Sequence, residues 1–464
     1  MLGLSLQANL KTEVREFLKL AVPLASAQLA QSATGFVDTL MMGRMGPDAL
    51  AAGGLASIIL LSVMLGATGT VMGISPLVAE AFGAGQKTRI QHLVRQGLWL
   101  SIMVALPMMI VMNQSNHWLL WVGQAEATVQ LADTYLNIIL WGLFPVVGFA
   151  AMRATVSALS HARPVMTIMV TGTAFNIAGN YVLGFGKLGF PPMGLAGLAL
   201  ASVIAQWGMF IAMVLYVLKH PKLRAYRFFQ ELQRLRPRIL WQLIWVGVPI
   251  GIFSGLEAAF FMVIMFWVGT FGTIALAAHQ IVLQTLTIVF MVPLGISFAT
   301  TVRVGQWLGR KDLQGVQRAT WVSIGLSTIF AGSMSVLFLL FPKQVIGIYL
   351  DVQNPANFAI VSLATTLLVI AAIAQVLDAF QKAIYGSLQG LQDTQVPMVL
   401  IALGYWGFGL SVAGGLGFYL DMGTQGLWIG QSVAIALVAG LFTWRLCRLI
   451  LHQNSRGKLN VFEK

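Results

Sequence analysis

The stretch Gln31-Ser-Ala-Thr-Gly-Phe-Val-Asp38-Thr-Leu-Met-Met-Gly43 closes the first long apolar run of the chain and sets a carboxylate inside it. Where such a run crosses a membrane, an ionised side chain at the helix centre costs roughly 2.5–3.5 kcal/mol, so it turns inward and marks function. Gln28, Gln31, Gly35 and Asp38 follow one another at spacings of three and four, which stacks them on one helix face. Val37, Leu40 and Met41 make the opposite face greasy. The rest of the chain has to account for what the polar face looks into.

Composition settles the solvent. Of 464 residues, 58% are hydrophobic and only 9% charged, and the mean hydropathy is +0.81. Soluble domains carry about 25% charged residues, so this chain cannot dress a water-facing surface and reads as a polytopic membrane protein. Its 48 Gly, 27 Phe and 13 Trp are the small and aromatic residues that membrane helices use for close packing and interface anchoring. The net charge of +13 is that of basic loops on the cytoplasmic side, not of a nucleic-acid partner. A single cysteine, Cys447, excludes an internal disulfide. Residues 1–16 read as a cytoplasmic leader, with no cleavable signal ahead of the first span.

Twelve apolar segments are long enough to span a bilayer, each needing about 20 residues: 17–42, 50–80, 93–115, 129–156, 164–186, 194–218, 241–268, 275–304, 317–341, 357–385, 396–418 and 424–450. With both termini cytoplasmic, every one of the 28 Lys and Arg falls on inner loops or inner helix ends except Arg44, Lys187 and Lys343. That asymmetry fixes orientation and span count together, since moving the count by one scatters the charges over both faces. The connection 219–240 carries Lys219, Lys222, Arg224, Arg227, Arg234, Arg236 and Arg238. It divides an N-lobe, 17–218, from a C-lobe, 241–450, and a cytoplasmic tail follows over 451–464.

The two lobes repeat each other. Ala-Val-Pro23 and Gly-Val-Pro249 stand 226 residues apart, as do Ala49-Leu-Ala-Ala52 and Ala275-Leu-Ala-Ala278. Met72-Gly-Ile-Ser75 answers Leu294-Gly-Ile-Ser297, and Gly194-Leu-Ala-Gly197-Leu198 answers Gly423-Thr-Gln-Gly426-Leu427. Six spans per lobe make both enter the membrane in the same sense, so the repeat implies a pseudo-twofold axis along the membrane normal. Pro23 and Pro249 interrupt spans 1 and 7, as a packing kink or as a gating bend.

The acidic residues are few enough to sort completely. Of 15 Asp and Glu, three lie well inside spans: Asp38 in span 1, Glu257 in span 7 and Asp378 in span 10. Glu80 and Asp133 sit near span ends, and the other ten fall in loops and termini, where solvation is the default. Asn176 and Asn180 lie one turn apart in span 5, with Thr173 on their face. Gln375 and Gln381 flank Asp378, and Lys382 stands four positions on, placed to pair with it or to snorkel toward the cytoplasm. Glu257 has the more apolar surroundings, with Phe260 and Phe261 beyond it. Carboxylates so placed can exchange protons, or with amide and carbonyl oxygens hold Na⁺.

Other patterns carry less. Gly184-Phe-Gly-Lys-Leu-Gly189 matches a dinucleotide fingerprint but lacks its strand–helix setting. Gly85-Gln-Lys87-Thr88 lacks the adjacent Gly-Lys of a phosphate loop, and His279 beside Gln280 reads first as a core residue. Gly69-Thr-Val-Met-Gly73 is a helix-packing pattern. With no nucleophile–base pairing and no metal-ligand cluster, the sequence gives no sign of an enzyme or of a cofactor.

Over residues 15–450 the chain resembles the multidrug and toxic compound extrusion (MATE) transporters, and within them the NorM-type bacterial branch. Gln31 through Gly43 is similar to the NorM pattern Q-x-x-x-G-F-V-D-T-x-M-x-G, and Ala277-Ala-His-Gln280 to the span-8 signature. Asp378 followed by Gly386-Ser-Leu-Gln-Gly390 is similar to the span-10 stretch.

That resemblance implies twelve helices in two six-helix lobes around a cleft that alternates between inward- and outward-facing. It implies export of cationic amphipathic drugs by antiport with H⁺ or Na⁺, from the bacterial inner membrane, by a functional monomer among lipids. Asp38, Glu257 and Asp378 would couple the ion, Glu257 and Asp378 holding Na⁺ where Na⁺ is used. Gln31, Asn176, Asn180 and Gln280 would support them in a polar cavity. Ala374 departs from the pattern, which has an aromatic residue four positions before the span-10 aspartate. Two other architectures share the outline. A major-facilitator transporter needs an aspartate before the basic residues of loop 2–3, absent from Phe82 to Arg89. A lipid-precursor flippase needs cavity arginines, and only Arg153 and Arg303 approach span interiors. A passive channel would not call for acids placed unequally on spans 1, 7 and 10.

Overall fold

In lipid a backbone must satisfy its own hydrogen bonds, which leaves an apolar chain of this composition the choice of helices. The computed structural model describes residues 2–121 and 123–456, with side chains from Leu10 to Leu451 apart from Trp118 and Val122. It holds twelve long helices: α1 Leu2–Met45, α2 Pro47–Gly83, α3 Lys87–Met112, α4 Glu126–Ala158, α5 Ala162–Gly179, α6 Gly194–Lys219, α7 Pro237–Gly269, α8 Thr273–Gly309, α9 Leu313–Leu340, α10 Phe358–Gly390, α11 Gln395–Tyr419 and α12 Gly423–Arg456. Ten of them combine span length with strongly apolar composition. The two that fall short are α1, which carries Gln28, Gln31 and Asp38, and α5, which carries Asn176 and leads into a widened turn at Asn180.

The leader expected over 1–16 is helical from Leu2 and continuous with the first span. Residues 457–464, the end of the expected tail 451–464, lie outside the described residues.

The chain forms two compact units, and their limits do not coincide with the six-span repeat. One unit comprises Ser26–Ile252; the other comprises Met1–Ala25 with Phe253–Lys464. The limits fall inside α1 and α7, just after Pro23 and Pro249. A proline removes one i→i−4 hydrogen bond and crowds the preceding turn, so each helix is weakest in bending close to where it leaves one unit for the other.

Each unit then packs the first part of its borrowed helix in the same way. In the first unit Gly69 and Gly73 of α2 meet Gly251 and Gly247 of α7: a Cβ on Gly73 would lie 2.5 Å from the Cα of Gly247, and one on Gly69 would lie 2.8 Å from the Cα of Gly251. The packing pattern at Gly69 and Gly73 thus has its partner in a second glycine pair of the same spacing. In the second unit Gly295 of α8, the counterpart of Gly73, packs on the backbone of Ala25 in α1, the counterpart of Gly251. The repeat extends to the entries of α6 and α12. Gly194 and Gly423 both take a left-handed φ, +57° and +58°. A Cβ on Gly197 would come within 2.6 Å of Leu183 O and one on Gly426 within 2.5 Å of Leu416 O. Both contacted carbonyls belong to helices whose turns widen there, over Asn180–Gly184 and Gly415–Tyr419.

Two polar anchors lie outside these apolar contacts. In the second unit Arg303 Nε and Nη2 donate to the two carboxylate oxygens of Glu13 at 2.8 and 2.6 Å, and Trp307 Nε1 donates to Glu13 Oε2 at 3.2 Å. Glu13 is 4% exposed, so the solvated role expected of a terminal acid is corrected: it is the buried partner of Arg303 near the end of α8. In the first unit the basic connection is an ordered strap on α3. Arg95 donates to the carbonyls of Arg227 and Phe228, Gln96 to that of Arg234, and Trp99 Nε1 to Leu232 O at 2.7 Å. Left-handed backbone at Arg227 and Glu231 turns the strap so that these carbonyls face α3.

Candidate functional site

The three intramembrane acids fall into two clusters, one within each unit. In the first unit Asp38 is half-buried on α1. Asn180 Nδ2 donates to Asp38 Oδ1 at 2.5 Å and to Asn176 Oδ1 at 3.3 Å, and Asn176 Nδ2 donates to Ser202 Oγ of α6 at 3.0 Å. Asn176 and Asn180 share a face because they are one turn apart, and the widened turn starts at Asn180. A carboxylate accepts only, so an amide with two N–H groups can serve it and a neighbour at once. One turn nearer the start of α1, Thr34 donates to Thr173 Oγ1 at 3.1 Å, and Thr173 donates to Ala30 O at 3.2 Å. These bonds seat α5 along the polar face of α1.

That face does not gather every residue expected of it. Gln28 is buried and accepts from Arg153 Nη1 at 2.8 Å. Gln31 is exposed, and among the described residues it is not bonded into the Asp38 cluster.

In the second unit the cluster is built on α7, α10 and α11. Lys382 donates to Glu257 Oε2, while the ammonium stands 5.4 Å from the ring centroid of Phe253 and 5.3 Å from that of Phe290. Asp378 lies one turn before Lys382 and within electrostatic reach of both Lys382 and Glu257. The two alternatives for Lys382 are thereby corrected. It neither pairs with Asp378 nor snorkels out, because Glu257 offers a partner inside and two aromatic faces receive its charge. Gln381 accepts from Tyr405 OH at 3.1 Å. Phe253 stacks on Tyr385 with ring centroids 3.9 Å apart, and Phe260 stacks on Tyr405 at 4.6 Å. Aromatic rings therefore wall the acids on two sides.

Ala374 is buried in the hydrophobic core of this unit. His279 is also buried, and its Nδ1 accepts from Trp428 Nε1 at 3.2 Å. Gln280 is exposed and, among the described residues, is bonded into neither cluster. Lys382 as the partner of Glu257 is the contact at the candidate site that sequence reasoning missed. Its signal was the row Gln375, Asp378, Lys382 and Tyr385 at helical spacing, a single face whose other members are buried or half-buried.

The sequence profile of the MatE family matches residues 23–182 and again residues 249–413, each match opening on one of the two repeat prolines. This chain belongs to the MatE family. A MatE protein of Synechocystis sp., named a probable multidrug resistance protein NorM, is 48% identical over 98% of this chain and 99% of its own. One from Synechococcus sp. with the same name is 45% identical over 97% of each chain. Among solved structures, the outward-facing conformation of a multidrug resistance MATE family transporter superposes with a TM-score of 0.86 at 19% identity, over 96% of this chain and 97% of that one. The MatE fold is therefore shared in full: twelve transmembrane helices in a multi-pass membrane protein.

Proposed function

We propose that this MatE protein is a secondary active exporter of drugs, chiefly cationic amphipaths, driven by antiport with H⁺ or Na⁺ and working by alternating access. The observation that carries the reading is the Asp38–Asn180–Asn176 chain: an intramembrane carboxylate held by an amide donor on a neighbouring helix. Protonation of Asp38 removes the charge that Asn180 serves and so loosens α1 from α5. A cationic substrate competes for the same negative charge. Coupling follows from that competition, with Glu257 and Asp378 as the second set of acids. The relatives' names as multidrug resistance proteins support the substrate class.

The setting is the bacterial inner membrane, with both termini and the strap 219–240 cytoplasmic. The positive-inside rule supports that orientation through the seven basic residues of the strap. The N-lobe 17–218 and the C-lobe 241–450 are the transport halves, and one chain in lipid is the working unit. No cofactor enters this scheme.

The deciding measurement is efflux of a cationic dye such as ethidium from proteoliposomes, with an H⁺ gradient or a Na⁺ gradient imposed alone. Export under one or both supports the exporter; dye movement that ignores both gradients overturns it.

A further inference from the structure

The acid cluster of the second unit already contains a cation. Lys382 is 3% exposed, its ammonium is bound to Glu257 Oε2, and Phe253 and Phe290 receive the same charge on their faces. Its backbone is fixed as firmly as its head group. Ser297 Oγ of α8 donates to Lys382 O at 2.8 Å, and Gly386, one turn on, packs against Ser297 so closely that a Cβ would lie 2.5 Å from Ser297 O. The lysine therefore has no room to slide along α8 and no solvent to reach.

The oxygens left over are those a small cation would seek. Glu257 Oε1, Asp378 Oδ1 and Gln375 Oε1 are all buried, without a hydrogen-bond partner among the described residues. A Na⁺ entering among them would share Glu257 with an ammonium already bonded to that carboxylate. Like charges at such range repel, and burial in apolar surroundings leaves little solvent to screen them. Two ionised carboxylates and one ammonium carry a net charge of minus one, so the pair has already received the monovalent cation that would half-neutralise it.

We propose that Lys382 is a tethered cation that takes, on Glu257, the place a coupling Na⁺ would take at the Glu257 and Asp378 site, so that this acid pair does not bind Na⁺. The proposal rests on the antiport reading above and narrows it: Na⁺ is not the ion handled by the second unit. Lys382 is then the residue that sets ion specificity, and removing its charge should open the site.

The test is a Na⁺ titration of the purified full-length protein, NaCl replacing N-methyl-D-glucamine chloride at constant ionic strength, with Tm read from tryptophan fluorescence. The wild-type Tm should not move with Na⁺. Lys382→Met should gain a saturable Na⁺-dependent rise in Tm, and the double variant Lys382→Met/Asp378→Asn should lose it. A saturable Na⁺-specific rise in the wild type that Asp378→Asn removes overturns the proposal, as does a folded Lys382→Met that ignores Na⁺. Should Lys382→Met fail to accumulate, the wild-type and Asp378→Asn titrations decide alone, a flat wild-type response supporting the proposal. This readout needs no transport. Dye movement that ignores both gradients would sink the exporter reading and leave the titration to decide the ion site.

Discussion

Lys382 of α10 bonds to Glu257 of α7 and passes over Asp378, the acid one turn back on its own helix. The pair ties two helices through a nearly dry site, and removing one partner leaves the other charged and buried. Glu257→Gln should therefore cost about 3–5 kcal/mol, read as a large fall in Tm in detergent. The double variant Glu257→Gln/Lys382→Met removes both charges and should recover most of that loss. Equal destabilisation in the single and double variants would contradict the pairing.

Asp38 is served by Asn180, and the two can be separated by function. Asp38→Asn keeps the shape of the side chain and removes the charge, so it should insert and fold but lose energised efflux in vesicles. Asn180→Ala removes a hydrogen bond to a charged acceptor, worth about 1.5–3 kcal/mol, and should weaken efflux without abolishing it. Undiminished drug efflux by Asp38→Asn would refute the assignment.

The glycine contact between α2 and α7 admits no side chain. Gly73→Leu should prevent accumulation of folded protein, since the nearest atoms are backbone and cannot rotate away. Gly54, on the same helix, has nothing within 4 Å of where its Cβ would lie, and Gly54→Leu should be tolerated. Comparing the two by fluorescence-detected size-exclusion chromatography separates a packing requirement from a general intolerance of α2 to bulk.

The strap over α3 hangs on side-chain donors, so its order can be removed without touching the membrane core. Arg95→Ala/Gln96→Ala should expose Arg227, Arg234 and Arg236 to limited trypsin in inside-out vesicles, several-fold faster than in the wild type. An unchanged digestion rate would mean that the hydrogen bonds to the strap carbonyls do not hold it.

Span positions and the three intramembrane acids were legible because each depends on local composition, and the repeat because short motifs recur in the same order in both halves. An apolar run of about 20 residues or a charge inside it is visible one residue at a time. Asn176 and Asn180 were legible for the same reason, being one turn apart on one helix. What stayed hidden depends on long-range pairing. Nothing near Glu13 distinguishes it from a solvated acid, because its partner, Arg303, lies 290 positions away. Lys382 shares a helix with Asp378 but answers an acid 125 positions earlier. Helical spacing showed its face and could not show what stood opposite. Gln31 and Gln280 illustrate the converse: their motifs placed them among the site residues, and the packing left them exposed.

The limits of the two units at Ala25 and Ile252 carry one more consequence. A chain from which the basic connection 219–240 is cut out leaves 1–218 and 241–464, and neither piece holds all the residues of either unit. The first lacks the opening turns of α7 that seat Gly247 and Gly251 against α2. The second lacks the opening turns of α1 that seat Ala25 against Gly295. Either fragment expressed alone therefore lacks a helix segment that a glycine contact of its own unit needs, and that segment travels with the other fragment.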